Sequence, residues 1–295
     1  MKKILVIILS FILFQVPSFG ADLDEMIGQM IIVGFNGDNV KSKEFKEVLK
    51  QVNDNKISGV IFFEDNIKNK EEFLKMTSAL KNSKAKHPPF IAIDIEGGYV
   101  QRMNKNNGFQ NFKSAKKVAQ MSEIEAYDEY YKMAEMLKEA DINLNFAPCV
   151  DIAINKDSII DKKERSYSND PKVVVKYAKE FINAHKKNKI ITSVKHFPGH
   201  GSPSGDTHLG LVDATKTYKE FELYPYLYLA NLNDMQTVMI SHVYNKNIDE
   251  RYPASLSYKT IEKFLRIQTN FDGVIITDDL DMGAIRKNYG LSEIV

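Results

Sequence analysis

One cysteine, Cys149, cannot close an internal disulfide, so the chain is not a small disulfide-stapled scaffold. Net charge is nearly absent. Forty Lys and Arg against 39 Asp and Glu leave +1, so no global field draws the molecule to nucleic acid or an anionic membrane. Low-complexity linkers, long charge blocks and repeats of ~20–50 residues are missing after residue 21. What is present is 43% hydrophobic content over 295 residues, which suffices for a large core and excludes a wholly disordered chain.

The first twenty residues stand apart. Lys2 and Lys3 precede an apolar run from Ile4 to Val16, followed by Pro17, Ser18, Phe19, Gly20 and Ala21. A basic start, an apolar centre and small residues at the end read as a secretory signal over 1–20, leaving a domain of 21–295. An uncleaved anchor is the other reading, but the run falls short of a typical ~20-residue span. The mature chain is therefore expected outside the cytoplasm, periplasmic or secreted, with no stable membrane insertion.

Beyond that segment the pattern is alternation. Short apolar, β-branched runs fall at Met30–Phe35, Gly59–Phe63, Phe90–Asp94, Ile142–Pro148, Ile191–Phe197, Thr237–Val243 and Gly273–Asp278. Between them lie stretches with helical spacing: Lys41–Val52, Lys70–Leu80, Ser114–Ala140, Pro171–Lys187, Tyr218–Leu229 and Tyr258–Ile267. In the last, Tyr258, Ile261, Phe264 and Leu265 share one face at three- and four-residue steps. Such alternation argues for parallel strands with crossover helices. Polar residues gather just past the strand ends, which read NG, ED, DIEGG, PCVD, KHFPGHG, SHV and TDDLDM. Reactive side chains spread over five or six strand ends favour a barrel, whose strands share one mouth, over an open sheet with one switch point. The expected fold is α/β, a TIM-type (β/α)8 barrel.

The segment Lys195–His208 is the richest, with three of the six histidines. Histidine and carboxylate are zinc ligands, but Pro198 and Gly199 between His196 and His200 exclude a helical i,i+4 pair. No metal is expected. A solvated Gly/Pro loop is a further reading. The sharper one pairs Asp206 with His208: two apart on extended backbone, their side chains point to one side, and the carboxylate fixes the tautomer of a ring that titrates near ~6.5. Gly201 and Gly205 would let this loop move. Asp278, where an apolar strand ends in two carboxylates, stands at the mouth as a nucleophile or a helix cap. A carboxylate opposite a proton donor is the arrangement for glycoside cleavage.

KHFPGHG followed by DTH, with DIEGGYVQR, NFAPCVDI, ERSYSNDP, PASLS and GVIITDDLDMGAI, resembles glycoside hydrolase family 3, in its bacterial β-N-acetylhexosaminidase branch (NagZ type). The similarity runs in order from about residue 23 to 290. It implies a retaining double displacement on terminal β-linked N-acetylglucosamine without metal or organic cofactor. By motif, Asp278 matches the nucleophile, His208 the acid/base and Asp206 its orienting partner. Asp94, Arg165, Lys195 and His196 match the sugar contacts; a strand-end cap for Asp94 and an ion pair with Asp170 for Arg165 are the rival roles. Glu96, Arg102, Asp151 and His242 are read as supporting residues at comparable strand ends. A neutral imidazole does not repel an incoming anion, so phosphate could replace water; water is the expected acceptor. The resemblance also implies release of N-acetylglucosamine from muropeptide or glycan fragments in wall turnover. An exported sugar-binding protein and an inactive remnant are the competing functions. The chain runs only seventeen positions past Asp278, so the expected barrel lacks its last strand and helix.

Overall fold

The computed structural model describes residues 23–232 and 234–294; the signal-like segment lies outside them. Seven parallel strands form one sheet: β1 (Ile32–Val33), β2 (Gly59–Phe62), β3 (Phe90–Ile93), β4 (Leu144–Asn145), β5 (Ile191–Phe197), β6 (Thr237–Ile240) and β7 (Val274–Thr277). Their spatial order is their chain order, with Val60 opposite Ile91, Ala92 opposite Leu144 and Ile275 opposite Val238. All seven strands fall inside the expected runs, and each of them except β5 is shorter than its run, at the carboxyl end throughout and at the amino end too in β1, β4 and β7.

Alternation along the strands sorts two apolar layers. Ala92, Leu144 and Met239 cluster with Ile32, Ile61, Ile191 and Ile276, so every strand sends a side chain to one shared interior. Their neighbours Val60, Phe62, Ile91, Ile93, Val194, Val238 and Ile240 point outward and pack under the helices. The strand order never reverses, as it would at the switch point of an open sheet, so every crossover winds the same way and the sheet is curled as in a barrel. Among the described residues no strand joins β7 to β1.

The helices have local causes. α1 (Lys43–Asn53) starts at Ser42, whose hydroxyl accepts the Phe45 amide, and α2 (Lys70–Lys81) at Asn69, which accepts that of Glu72. The expected stretch 114–140 is broken: Ser122 and Glu125 form a capping box that starts α3 at Glu123–Glu139, after a separate turn at Ala115–Val118. α4 (Pro171–Lys187) matches its expected bounds because Asp170 caps it and Pro171 suits a first turn. α3 packs on α4 through Tyr130 and Phe181, whose rings meet edge-on at 4.7 Å. The stretch from Tyr218 resolves into a 3-10 turn at Glu220–Leu223 and α5 (Tyr224–Asn231). Lys259–Gln268 is a π-type helix, which widens the turn. Thr260 and Leu265, five apart, are therefore its buried residues, while Tyr258, expected on the apolar face, is 73% exposed. No helix among the described residues is long and apolar enough to cross a membrane.

Candidate active site

The strand ends deliver charged side chains to one mouth. Asp94 follows β3, and the chain then folds into a small hairpin, Ile95–Gly97 with Val100–Gln101, which buries Glu96. Gly97 and Gly98 make its turn at φ of +93° and +64°, conformations that disfavour other residues. Lys195, on β5, places its Nζ 2.8 Å from Asp94 Oδ1 and 2.8 Å from Glu96 Oε1. Arg165 meets Glu96 in a bidentate pair, Nε at 3.0 Å and Nη2 at 2.7 Å. Asp170, its rival partner, instead caps α4. Arg102 lies 3.8 Å from Asp94, so Asp94 is an ion-pair partner rather than a strand-end cap.

The network continues through His196. Arg165 can only donate, so its 3.1 Å contact makes His196 Nε2 the acceptor and leaves Nδ1–H to Asp151 at 2.6 Å. Asp151 also takes the His200 amide at 2.7 Å and the Cys149 thiol at 3.3 Å. Burial works against the Glu96 charge, but Arg165 and Lys195 outweigh it and hold the carboxyl well below the usual range. Burial likewise opposes Asp151, yet His196 and His200 bring it down to about 2. The thiol of Cys149 is pushed up, first by burial and then by Asp151. Cys149, Asp151 and His196 bring three metal-type donors within 4.8 Å of one another. Their donor chemistry suits zinc, but mutual hydrogen bonds and a protonated thiol already satisfy them.

Asp278 follows β7, half-buried, with its own amide bonded to Ile240 O and its Oδ1 accepting the Asp279 amide. Burial resists its charge, but the His196 and His242 rings and that amide keep its carboxyl below the ordinary range. His242 supports the same turn. Its Nε2 must donate to Asp279 O at 2.8 Å, leaving Nδ1 to accept from Ser255 at 2.7 Å.

Asp206 and His208 do pair, Oδ1 to Nδ1 at 2.7 Å. The backbone that pairs them is a turn, not the expected extended strand: Asp206 also accepts the His208 amide, and its carbonyl accepts that of Leu209. Burial opposes the Asp206 charge, but His208 keeps the carboxyl below its usual range. The His208 side chain is 64% exposed. This loop is docked rather than free. His208 O and Thr207 O accept the amides of Gly283 and Ala284, at the start of the short helix Gly283–Arg286 that follows Asp278. Asn155 holds its other side through Ser202 O and Ser204 Oγ. Gly201, expected as a hinge, is a close approach: a Cβ there would lie 1.8 Å from Ile152 O.

A buried network of charge pairs, two Asp–His couples and an acid at the strand ends of a curled parallel sheet coincide with a known architecture. The model of the glycosyl hydrolase family 3 N-terminal domain matches residues 22–295. The chain belongs to glycosyl hydrolase family 3. It is 35% identical over 229 residues to the beta-hexosaminidase of Photobacterium profundum, covering 77% of this chain and 66% of that one. It is 30% identical to the beta-hexosaminidase of Xylella fastidiosa strain M23, covering 89% of this chain and 78% of that one. Among solved structures it resembles a family 3 beta-N-acetylglucosaminidase from Paenibacillus (TM-score 0.84, 30% identity, 92% of this chain, 52% of that one). NagZ from Neisseria gonorrhoeae is also similar (TM-score 0.76, 28% identity, 86% of this chain, 75% of that one). The chain thus spans about half to three quarters of the length of these family 3 relatives.

Within the family 3 barrel, Asp94, Arg165, Lys195 and His196 form one contact chain, with Glu96 at its centre. Asp206 and His208 form a second group, docked on the Gly283 and Ala284 amides that follow Asp278, while Asp278 feels the first group through the charges of His196 and Lys195. Sequence reading gave no specific place to Ser255, Asn155 and Gly283. PASLS carried a signal for Ser255; Asn155 acts through its side-chain amide on a loop distant in sequence, and Gly283 through its backbone amide, so neither leaves a local signature.

Proposed function

We propose that this chain is a retaining exo-β-N-acetylglucosaminidase. The observation that carries the reading is the docking of the Asp206–His208 loop on the helix that follows Asp278, which ties a proton-transfer pair to a charged carboxylate. In the first step Asp278 attacks the anomeric carbon while His208 gives a proton to the leaving oxygen, forming a covalent glycosyl-enzyme. In the second, His208 takes a proton from water, which attacks the same carbon and frees Asp278. Asp206 holds Nδ1, leaving Nε2 to shuttle the proton. Asp94 accepts from sugar hydroxyls, and Arg165, Lys195 and His196 bind the rest of the ring. The names of the relatives support an N-acetylhexosamine substrate. Peptidoglycan fragments, water as acceptor, and action outside the cytoplasm complete the proposal.

Release of 4-nitrophenol from 4-nitrophenyl β-N-acetylglucosaminide by the full chain tests it. Turnover should disappear in Asp278→Ala and fall by ~100-fold or more in His208→Ala, with circular dichroism unchanged in both. A fully active His208→Ala protein overturns the proton-transfer role. A folded, inactive wild type would favour a binding protein instead.

A further inference from the structure

We propose that Glu222 is a positioning residue: its ionised carboxylate holds the Gly199–Ser202 turn, and thereby the loop that carries Asp206 and His208, in its docked place. The inference rests on the glycosidase reading above only for its kinetic consequence.

Glu222 sits in the 3-10 turn before α5 and is 1% exposed. Its Oε1 accepts the Lys219 amide at 2.9 Å. Its Oε2 is buried and has no hydrogen-bond partner among the described residues. The loop lies directly on that oxygen: a Cβ on Gly199, which has φ of +143°, would be 2.8 Å from Glu222 Oε2. Ser202 Oγ, equally buried and unpartnered, faces the same carboxyl, as does the Gly201 amide. Tyr218 and Tyr226 add two more buried, unpartnered hydroxyls beside it. Buried polar groups left unmatched are costly, so a carboxylate among so many donors indicates a clamp.

The groups around it fix the direction of its titration. Tyr218 precedes it in the chain with Glu220 nearby, Tyr226 faces it from α5, and Asp151 from the turn after β4; none is a cation. Burial, with Asp151, pushes the carboxyl up to about 7, against the Lys219 amide, the Ser202 hydroxyl and the Gly201 amide, which favour the charged form. Of these only the Lys219 amide is within hydrogen-bond distance; the Ser202 hydroxyl and the Gly201 amide lie beside the carboxyl, and all three favour its ionised state. Protonation turns one accepting oxygen into a donor and releases the turn.

Two measurements on the full chain test this. In kcat/KM, which reports the first chemical step, loss of the proton needed by the leaving oxygen shapes the alkaline side, so the acid side is the one to read. The Asp278 carboxyl is held below the ordinary carboxylate range, so its acid limb falls well below neutrality. An acid limb turning near pH 7 is therefore the one expected of Glu222. Glu222→Gln should lack that limb and lose roughly ten- to hundred-fold at alkaline pH through a misplaced loop. Ser202→Ala should keep the limb but shift it to higher pH. The second measurement needs no turnover. Hydrogen exchange of residues 198–209, corrected for intrinsic rates, should show the wild-type loop losing protection between pH 8 and 6. Glu222→Gln should be loose at both. A wild type whose protection does not change over that range, or a folded Glu222→Gln that keeps the acid limb, overturns the proposal. A loop that responds to pH in a chain without glycosidase activity upholds the clamp and removes the function proposed above.

Discussion

Glu96 carries two cations on one buried carboxylate, with Lys195 at 2.8 Å and Arg165 at 2.7 Å, and all three side chains are nearly withdrawn from water. Desolvating so many charges costs several kcal/mol per ion, and only their mutual pairing offsets it. Removing one member leaves the others unbalanced. Glu96→Gln should therefore destabilise the protein by roughly 3–5 kcal/mol, and release Lys195 and Arg165 from their positions against Asp94 and His196. Chemical denaturation reads the first effect, and a rise in KM for the sugar substrate the second. A loss below ~1 kcal/mol would mean that the charges are not desolvated as the geometry requires. The site was legible at this scale where chemistry is contiguous in the chain, as in DIEGG, KHFPGHG and DTH. Pairing across the fold was not. Arg165 and Glu96 stand 69 positions apart, so the nearby Asp170 was the only rival partner in view, and tertiary structure assigns it to a helix cap instead.

Elements were legible where their boundaries have their own chemistry. α4 was readable to the residue because Asp170 and Pro171 mark a helix start. The stretch 114–140 was not, since the Ser122–Glu125 box lies inside an otherwise helical run. The pairings Ile95–Gly97 with Val100–Gln101, and Val212–Asp213 with Val243–Tyr244, were invisible because two or three residues carry no period. Glycine in the loop after β5 was read as freedom, and at Gly201 it is the opposite. Gly201→Ala would set a methyl against Ile152 O, 1.8 Å away, and should cost about 1–3 kcal/mol or more through overpacking. Because the same turn leads to Asp206 and His208, kcat/KM should fall with it. Gly210 is the control. A Cβ there meets nothing within 4 Å, so Gly210→Ala should stay within ~0.5 kcal/mol of wild type. Thermal melting of the two variants, run with their turnover, distinguishes a packing glycine from a hinge.

At the scale of the whole molecule, the outer helices and the inner sheet are joined by buried polar links as well as apolar contact. His185, on α4, donates from Nδ1 to Phe181 O at 2.9 Å and accepts at Nε2 from Asn145, at the end of β4. Asn145 in turn bonds both backbone groups of Ile95, in the hairpin that holds Glu96. Burial holds His185 neutral, bringing it down to about 3, and holds His200 down to about 4. In the unfolded chain both take a proton near ~6.5, so below that pH the unfolded state binds more protons and stability falls. Glu222 acts the other way: raised to about 7 by burial, it keeps its proton in the folded state, so between about 7 and 4.5 it adds stability as pH falls. One opposing group against two leaves a net decline. Below about 4 the depressed carboxyls of Asp151 and Glu96 steepen it, because they protonate more readily once unfolded. Melting temperature should therefore drop gently from pH 6.5 to 4.5 and sharply beneath. His185→Gln, which cannot take up a proton, should start less stable at pH 8 yet lose less between pH 6.5 and 4.5 than the wild type. Parallel curves for the two proteins over that interval would show that the acid sensitivity arises elsewhere than in the His185–Asn145 link.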